Sequence, residues 1–137
     1  MGYDAHITRA EHWSDNTGFE IQSEEWLAIV RDDPDMIIAP ERGGYFAIWR
    51  GTVEEPEVWF DWNQGNIFTK NPDQATLAKM IHIAERLNAH VQGDDGEIYD
   101  WQNIIKQNNT WTHSDDRAAT SQESQLSFWK RILRRIK

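Results

Sequence analysis

The chain has 137 residues, of which 39% are hydrophobic, and its 14 basic and 23 acidic residues give a net charge of −9. This length, together with an apolar content that includes eight Trp, indicates one folded domain and excludes a disordered acidic chain. There is no cysteine, which excludes disulfides and thiolate metal sites and fits a reducing compartment.

The first third of the chain predicts a strand and a helix. Alternation of apolar and polar residues over 3–9 is typical of a half-buried strand. Its two faces hold Ala5 and Ile7 on one side and Asp4 and His6 on the other. A helix is then predicted to begin with Ser23 as its cap and to end at Asp33, before a proline.

Three short aromatic and β-branched runs, at 45–50, 58–62 and 66–70, predict an antiparallel meander. Alternation along the second run places Val58, Phe60 and Trp62 on one face and Trp59 and Asp61 on the other. An exposed Trp beside acidic residues is typical of protein-binding surfaces, although packing of Trp under the helices is the commoner outcome. Trp59, Asp61 and Trp62 are therefore candidate partner-binding residues.

The last third predicts a second helix and a hairpin. The helix begins with Asn71 as its cap and Pro72 as its first residue. Its buried stripe consists of Leu77, Met80, Ile81, Ala84 and Leu87. Strands at 89–92 and 97–101 follow. The order β-α-β-β-β-α-β-β predicts an α+β domain over residues 1–106, with two helices packed on one face of an antiparallel or mixed sheet.

Charge separates sharply near the C-terminal end. Residues 1–125 hold 9 basic and 23 acidic side chains, a net charge of −14. Residues 126–137 hold no acid and five basic side chains, Lys130, Arg131, Arg134, Arg135 and Lys137. The composition predicts a polar linker over 107–125 and an amphipathic basic helix over 126–137. We expect this tail to dock on the acidic body. The disfavoured alternatives are binding of residues 129–137, beginning at Trp129, to an acidic partner or to an anionic membrane. One short helix without a lipid anchor binds a membrane only weakly.

Three carboxylates cluster in the turn of the last hairpin, at Asp94, Asp95 and Glu97. Ca²⁺ and Mg²⁺ prefer oxygen ligands of this kind, but the spacing is wrong for a calcium-binding loop. Asp and Gly also suit a hairpin turn for backbone reasons. We therefore expect no metal here, and we count the three acids among the partner-binding candidates.

A second cluster, Asp4, His6, Glu11 and His12, lies within nine residues. A carboxylate can orient a histidine for general-base catalysis or metal ligation. No established catalytic or phosphate-binding motif accompanies these residues. The expectation is therefore that the chain is not an enzyme, with no catalytic residue and no cofactor.

Six segments resemble a family of small, uncharacterised bacterial cytosolic proteins. They are GYDAHITRAEHW at 2–13, EWL at 25–27, DPDM at 33–36, KNPD at 70–73, KM at 79–80 and VQGDDGE at 91–97. The resemblance covers roughly residues 2–100 and carries over no functional residue. In general character, such small acidic bacterial proteins are similar to immunity proteins that neutralise toxins delivered by neighbouring cells.

These observations favour a cytoplasmic protein-binding module, an immunity protein whose acidic surface covers the basic site of a nuclease-type toxin. The first residues show no basic segment followed by an apolar core, so we expect no secretory leader, and no stretch reaches the roughly 18 apolar residues of a membrane span. The acidic body should repel nucleic acid, so no direct nucleic-acid partner is expected. The alternatives are a nucleic-acid-mimic inhibitor and a small hydrolase or metal-dependent enzyme that uses Asp4, His6 and His12.

Overall fold

The computed structural model describes residues 3–51 and 57–104. Seven strands form one antiparallel sheet in the order β2-β3-β4-β5-β1-β6-β7. The strands are β1 Asp4–Thr8, β2 Met36–Ile38, β3 Ala47–Trp49, β4 Val58–Asn63, β5 Asn66–Lys70, β6 His90–Gly93 and β7 Ile98–Tyr99. The helices are α1 Ser23–Asp32 and α2 Gln74–Arg86, with a 3-10 turn at Pro40–Arg42 and a helical turn at 101–104. The predicted α+β class is confirmed, and the sheet is antiparallel rather than mixed.

The sequence pattern does not predict β2, because three residues are too few to show an alternation. Both predicted helix caps also need correction. Ser23 is the first residue of α1 rather than its cap, and the preceding Gln22 N–H donates to the Glu25 carboxylate at 3.0 Å. The cap of α2 is Asp73, whose carboxylate accepts the Thr76 N–H at 2.8 Å, so the predicted cap at Asn71 lies two residues too early.

One face of the sheet forms the core. Cross-strand partners in an antiparallel pair project to the same face, and Ile7 pairs with both Ile67 and Val91. These side chains share one hydrophobic cluster with Trp26 of α1 and Met80 of α2, both fully buried. We call this side the core face. The predicted buried stripe of α2, Leu77, Met80, Ile81, Ala84 and Leu87, is confirmed as buried.

The opposite side, which we call the outer face, is defined by His6, Trp59, Asp61, Phe68 and Gln92. His6 pairs with Phe68 on β5 and with Gln92 on β6, and Phe68 pairs with Asp61 on β4. Trp59 lies two residues before Asp61 and therefore shares its face. The predicted division of β4 into two faces is confirmed.

The loop at 9–22 covers part of the outer face. The Gln92 amide accepts the Trp13 backbone N–H at 2.8 Å and donates to the Glu11 carbonyl at 2.6 Å. The Asn66 amide donates to the Trp13 carbonyl at 2.8 Å and accepts from Asn16 at 3.1 Å. Gln92 and Asn66 are buried, so these bonds satisfy polar groups that would otherwise destabilise the sheet.

A buried ion pair joins the two helical regions on the core side. The Lys79 ammonium of α2 is fully buried and contacts the Asp33 carboxylate, just beyond the end of α1. Burial lowers the pKa of Lys79, while Asp33 opposes that shift. Asp33 also accepts the Asp35 N–H at 2.9 Å. Asp33, the predicted end of the first helix, therefore also forms a buried ion pair with α2, which lies far along the chain.

The predicted linker at 107–125 and the predicted basic tail at 126–137 lie outside the described residues, as does the end of the predicted domain at 1–106. In the part of the chain that the structure describes, no helix has the length and apolar character needed to cross a membrane.

Met80→Ala should lower the free energy of unfolding by about 2 to 5 kcal/mol, because the side chain is fully buried in the core between α2 and the sheet. Arg31→Ala, at an exposed position of α1, is the control and should change stability by about 0.5 kcal/mol or less. Urea denaturation measures both. Equal stability of Met80→Ala and the parent would show that this face of α2 is not in the core.

Candidate functional site

Strand β1, which lies between β5 and β6, and the β6–β7 hairpin bring together two residues that lie 88 positions apart. His6 Nε2 lies 3.1 Å from Asp94 Oδ1, and Asp94 Oδ2 accepts the Asp4 backbone N–H at 3.0 Å. His6 is only 6% exposed, whereas the Asp94 carboxylate is partly open to solvent. The hairpin acid is thus fastened to the outer face of β1.

Trp13 covers this pair. Its indole ring stacks on the His6 imidazole with a centroid distance of 3.8 Å and an interplanar angle of 5°. Its Nε1–H donates to the Asp94 carbonyl at 3.1 Å. We call Asp4, His6, Trp13 and Asp94 the His6 cluster. Its contacts through Trp13 hold the loop at 9–22 against the sheet.

The electrostatics of the His6 cluster favour an ionised Asp94. The Asp4 N–H contributes most to lowering the pKa of Asp94, and the bond from His6 lowers it further. Lys70 Nζ lies 3.5 Å from the Asp4 carboxylate and balances part of the negative charge. One nitrogen and two carboxylate oxygens, from His6, Asp4 and Asp94, lie within 4.8 Å of one another and form a candidate metal-ligand set.

The predicted enzyme-like cluster is only partly assembled. Asp4 and His6 come together, but the third member of the ligand set is Asp94, not His12. The His12 ring lies 2.8 Å from the Ser14 hydroxyl through Nδ1 and stacks on Trp13 at 5.7 Å. Glu11 is exposed and contributes its backbone carbonyl to Gln92. Spacing along the chain gives no signal for Asp94, because its approach to His6 depends on the pairing of β1 with β6.

The three hairpin acids have different environments. Asp94 belongs to the His6 cluster, and Glu97 accepts the Tyr3 hydroxyl at 2.6 Å. That bond lowers the pKa of Glu97, and burial together with the same bond raises the pKa of Tyr3. The Asp95 side chain is exposed, and its backbone N–H donates to Glu97 at 3.1 Å. Asp95 and Glu97 are therefore the two exposed acids of the hairpin, and Asp94 is the half-buried one.

The two tryptophans of β4 face opposite ways. Trp62 lies on the core side, where its Nε1–H donates to the Ile21 carbonyl at 2.8 Å. Trp59 lies on the outer face, stacked on Phe46 at 5.1 Å and edge-on to Phe68 at 5.6 Å. Trp59 therefore remains a candidate binding residue, while Trp62 packs against the core.

An apolar row extends from Trp59 to the edge of the sheet. Trp59 pairs with Ile48, and Ile48 pairs with Ile37, which is 45% exposed. Asp61 follows Trp59 on the same face, and burial raises the pKa of Asp61. Ile48 and Trp59 are half-buried, so the row keeps part of its apolar surface open to solvent. Apolar side chains that stay partly exposed beside a carboxylate are typical of an interaction surface.

Comparison with known proteins finds no relative: no protein-family model, no curated protein and no solved structure matches the chain. Function is therefore inferred from the geometry and charge of the outer face. The resemblance to small bacterial cytosolic proteins stays a proposal.

Asp94→Asn should destabilise the fold by about 1 kcal/mol at pH 7, because it removes the charge that His6 and the Asp4 N–H contact at a partly exposed site. The pKa of Asp94 is lowered by folding, so its contribution is present above the ordinary Asp pKa and is lost as the pH falls through the folded value. The difference from the parent should shrink below about pH 4.

Urea denaturation at neutral and acidic pH tests this expectation. Asp95→Asn is the matched control, since its carboxylate is exposed in the same turn, and it should leave stability nearly unchanged at both pH values. If the two variants are equally stable at pH 7, the His6 cluster does not stabilise the fold.

Proposed function

We propose that this protein is a cytoplasmic protein-binding module, an immunity protein that neutralises a nuclease-type toxin by covering its basic site. The observation that carries the proposal is the apolar row of Ile37, Ile48 and Trp59 beside Asp61, in which Ile37 is exposed and the other two side chains are half-buried. An aromatic anchor held by neighbouring rings and flanked by a carboxylate has the chemistry of an interface centre.

We further infer that both helices pack on the core face, which leaves the outer face for a partner. Buried residues of α1 and α2 belong to one cluster with the inward side chains of the sheet. The covering loop at 9–22 contacts the outer face around β1, β5 and β6. The partner would contact the remaining half, on β2, β3 and β4.

Charge supports a basic partner. The chain carries a net charge of −9, and residues 1–125 carry −14. Opposite charge raises the rate of encounter, whereas desolvated aromatic side chains prolong the lifetime of a complex. Sites that bind nucleic acid are basic, so a nuclease offers the complementary surface. A nucleic-acid-mimic inhibitor of host or phage enzymes would use the same surface, and the identity of the bound enzyme separates the two proposals.

Trp59→Ala should speed dissociation from the toxin domain expected to be encoded immediately upstream, by roughly 30-fold if Trp59 is an interface anchor. Trp101→Ala is the matched control, because Trp101 is half-buried and its Nε1–H donates to Glu85 of α2 at 2.8 Å, away from the outer face. Added salt should slow association of the parent and leave dissociation nearly unchanged, since screening acts over about 8 Å at physiological ionic strength.

Surface plasmon resonance measures both rates, and melting temperatures confirm that each variant is folded. If folded Trp59→Ala dissociates from the toxin at the same rate as the parent, the apolar row is not part of the interface. Trp62→Ala is expected to act mainly on stability, because Trp62 packs against the core.

A small hydrolase or metal-dependent enzyme is the second candidate, and the ligand set of Asp4, His6 and Asp94 is the observation that favours it. Two features weigh against this function. The His6 Nε2 is already bonded to Asp94, and Lys70 contacts the Asp4 carboxylate. A cation would have to replace both contacts.

We expect protein purified without chelator to contain no near-stoichiometric zinc, iron or manganese, because the His6 cluster is internally paired. Elemental analysis of the parent measures this, with His6→Ala as the control for metal bound elsewhere. One equivalent of metal in the parent that is lost in His6→Ala would make the enzyme the leading candidate.

A further inference from the structure

A cavity of about 400 Å³ opens on the outer face beside the His6 cluster. Its apolar walls are the rings of Trp13 and Phe68, and Asp4 and His6 lie between them along β1. This volume falls within the usual range for sites that bind a small group. Phe68 also contacts Trp59, so one wall of the cavity adjoins the apolar row.

The polar lining of the cavity is rich in acceptors. Asp4 provides a carboxylate, and the described residues that line the cavity include no lysine or arginine. Asn16 donates through Nδ2 to the Gln64 carbonyl at 2.8 Å and to Asn66 at 3.1 Å. Those two bonds use both amide hydrogens and leave Asn16 Oδ1 as an acceptor. Asn63 adds a second amide at the rim.

Among the described residues, Lys70 is the one cation that contacts these acceptors. Its Nζ lies 3.5 Å from Asp4 Oδ1. It is more than half exposed, and ion pairs in that setting contribute little to stability. A ligand cation can therefore compete with Lys70 for the Asp4 carboxylate at small cost.

We propose that this cavity accepts an arginine side chain of the basic partner, an inference that rests on the proposed function. A guanidinium is planar, carries five N–H donors and stacks on aromatic rings. It therefore fits a space that combines Phe68 with the Asp4 carboxylate and the Asn16 amide oxygen. Lysine, a point charge with three donors, matches fewer of these groups.

The experiment uses three capped tripeptides, Gly-Arg-Gly, Gly-Lys-Gly and Gly-citrulline-Gly, titrated into the full chain. Citrulline has nearly the shape of arginine but no charge. NMR follows the indole N–H of Trp13 and the side-chain amide of Asn16 as each peptide is added to about 20 mM, above the roughly millimolar dissociation constants expected for ligands this small. The arginine peptide should bind at least about fivefold more tightly than the citrulline peptide.

Asp4→Asn should weaken binding of the arginine peptide by about fivefold. The substitution removes the one carboxylate among the described residues that line the cavity. Glu24→Gln is the matched control, since it removes one exposed acid from the first turn of α1 and should not alter binding. The ion pair that the Asp4 carboxylate forms among the described residues is the exposed one with Lys70, so the variant should fold, and its melting temperature verifies this.

Three results would overturn the inference: no saturable shift with the arginine peptide, equal affinity for arginine and citrulline, or displacement of the peptide by micromolar Zn²⁺ or Mn²⁺. The second would indicate a site for neutral polar groups and the third a metal site. The titration needs no toxin, so it fails or succeeds independently of the proposed function. Toxin binding that is lost in Trp59→Ala but retained in Asp4→Asn would reject the role of the cavity in binding the toxin. It would leave the proposed function in place.

Discussion

The alternation of side chains along β1 is the constraint on which the rest of the structure depends. β1 lies between β5 and β6, so its register determines which residues of three strands share a face. Ala5 and Ile7 enter the core, while Asp4 and His6 face outward. A slip by one residue would exchange these pairs and bury a carboxylate among apolar side chains. The core and the outer face are therefore specified together.

The outer face has two parts with different chemistry. Around β1, buried polar groups bond to the loop at 9–22, and the stacking of Trp13 on His6 completes that cover. On β2 to β4, the apolar row of Ile37, Ile48 and Trp59 is left partly exposed by the described residues. In the first part, the amide oxygen and the amide nitrogen of Gln92 and of Asn66 each form a hydrogen bond, so these buried groups are satisfied. Burial of the apolar row in the second part by a partner would contribute favourable free energy to binding.

Local patterns predict much of the fold and about half of the candidate site. Periodicity identifies α1, α2 and six of the seven strands, and it places Trp59 and Trp62 on opposite faces. It cannot say which face is the core, because that depends on where the helices pack. Nor can spacing reveal that Asp94 meets His6 or that Lys79 is buried against Asp33, since both contacts join residues far apart in sequence. The acidic hairpin is therefore more structural than its composition suggests.

Hydroxyl-radical footprinting of the complex with the neighbouring toxin domain tests most directly whether the outer face binds the partner. Oxidation of Trp59 and Phe68 should fall on complex formation, because both lie on the outer face. Oxidation of Trp101, which contacts α2, should not change. Protection of Trp101 and the exposed side of α1, with Trp59 as reactive as in the free protein, would contradict this account and place the partner on the helices.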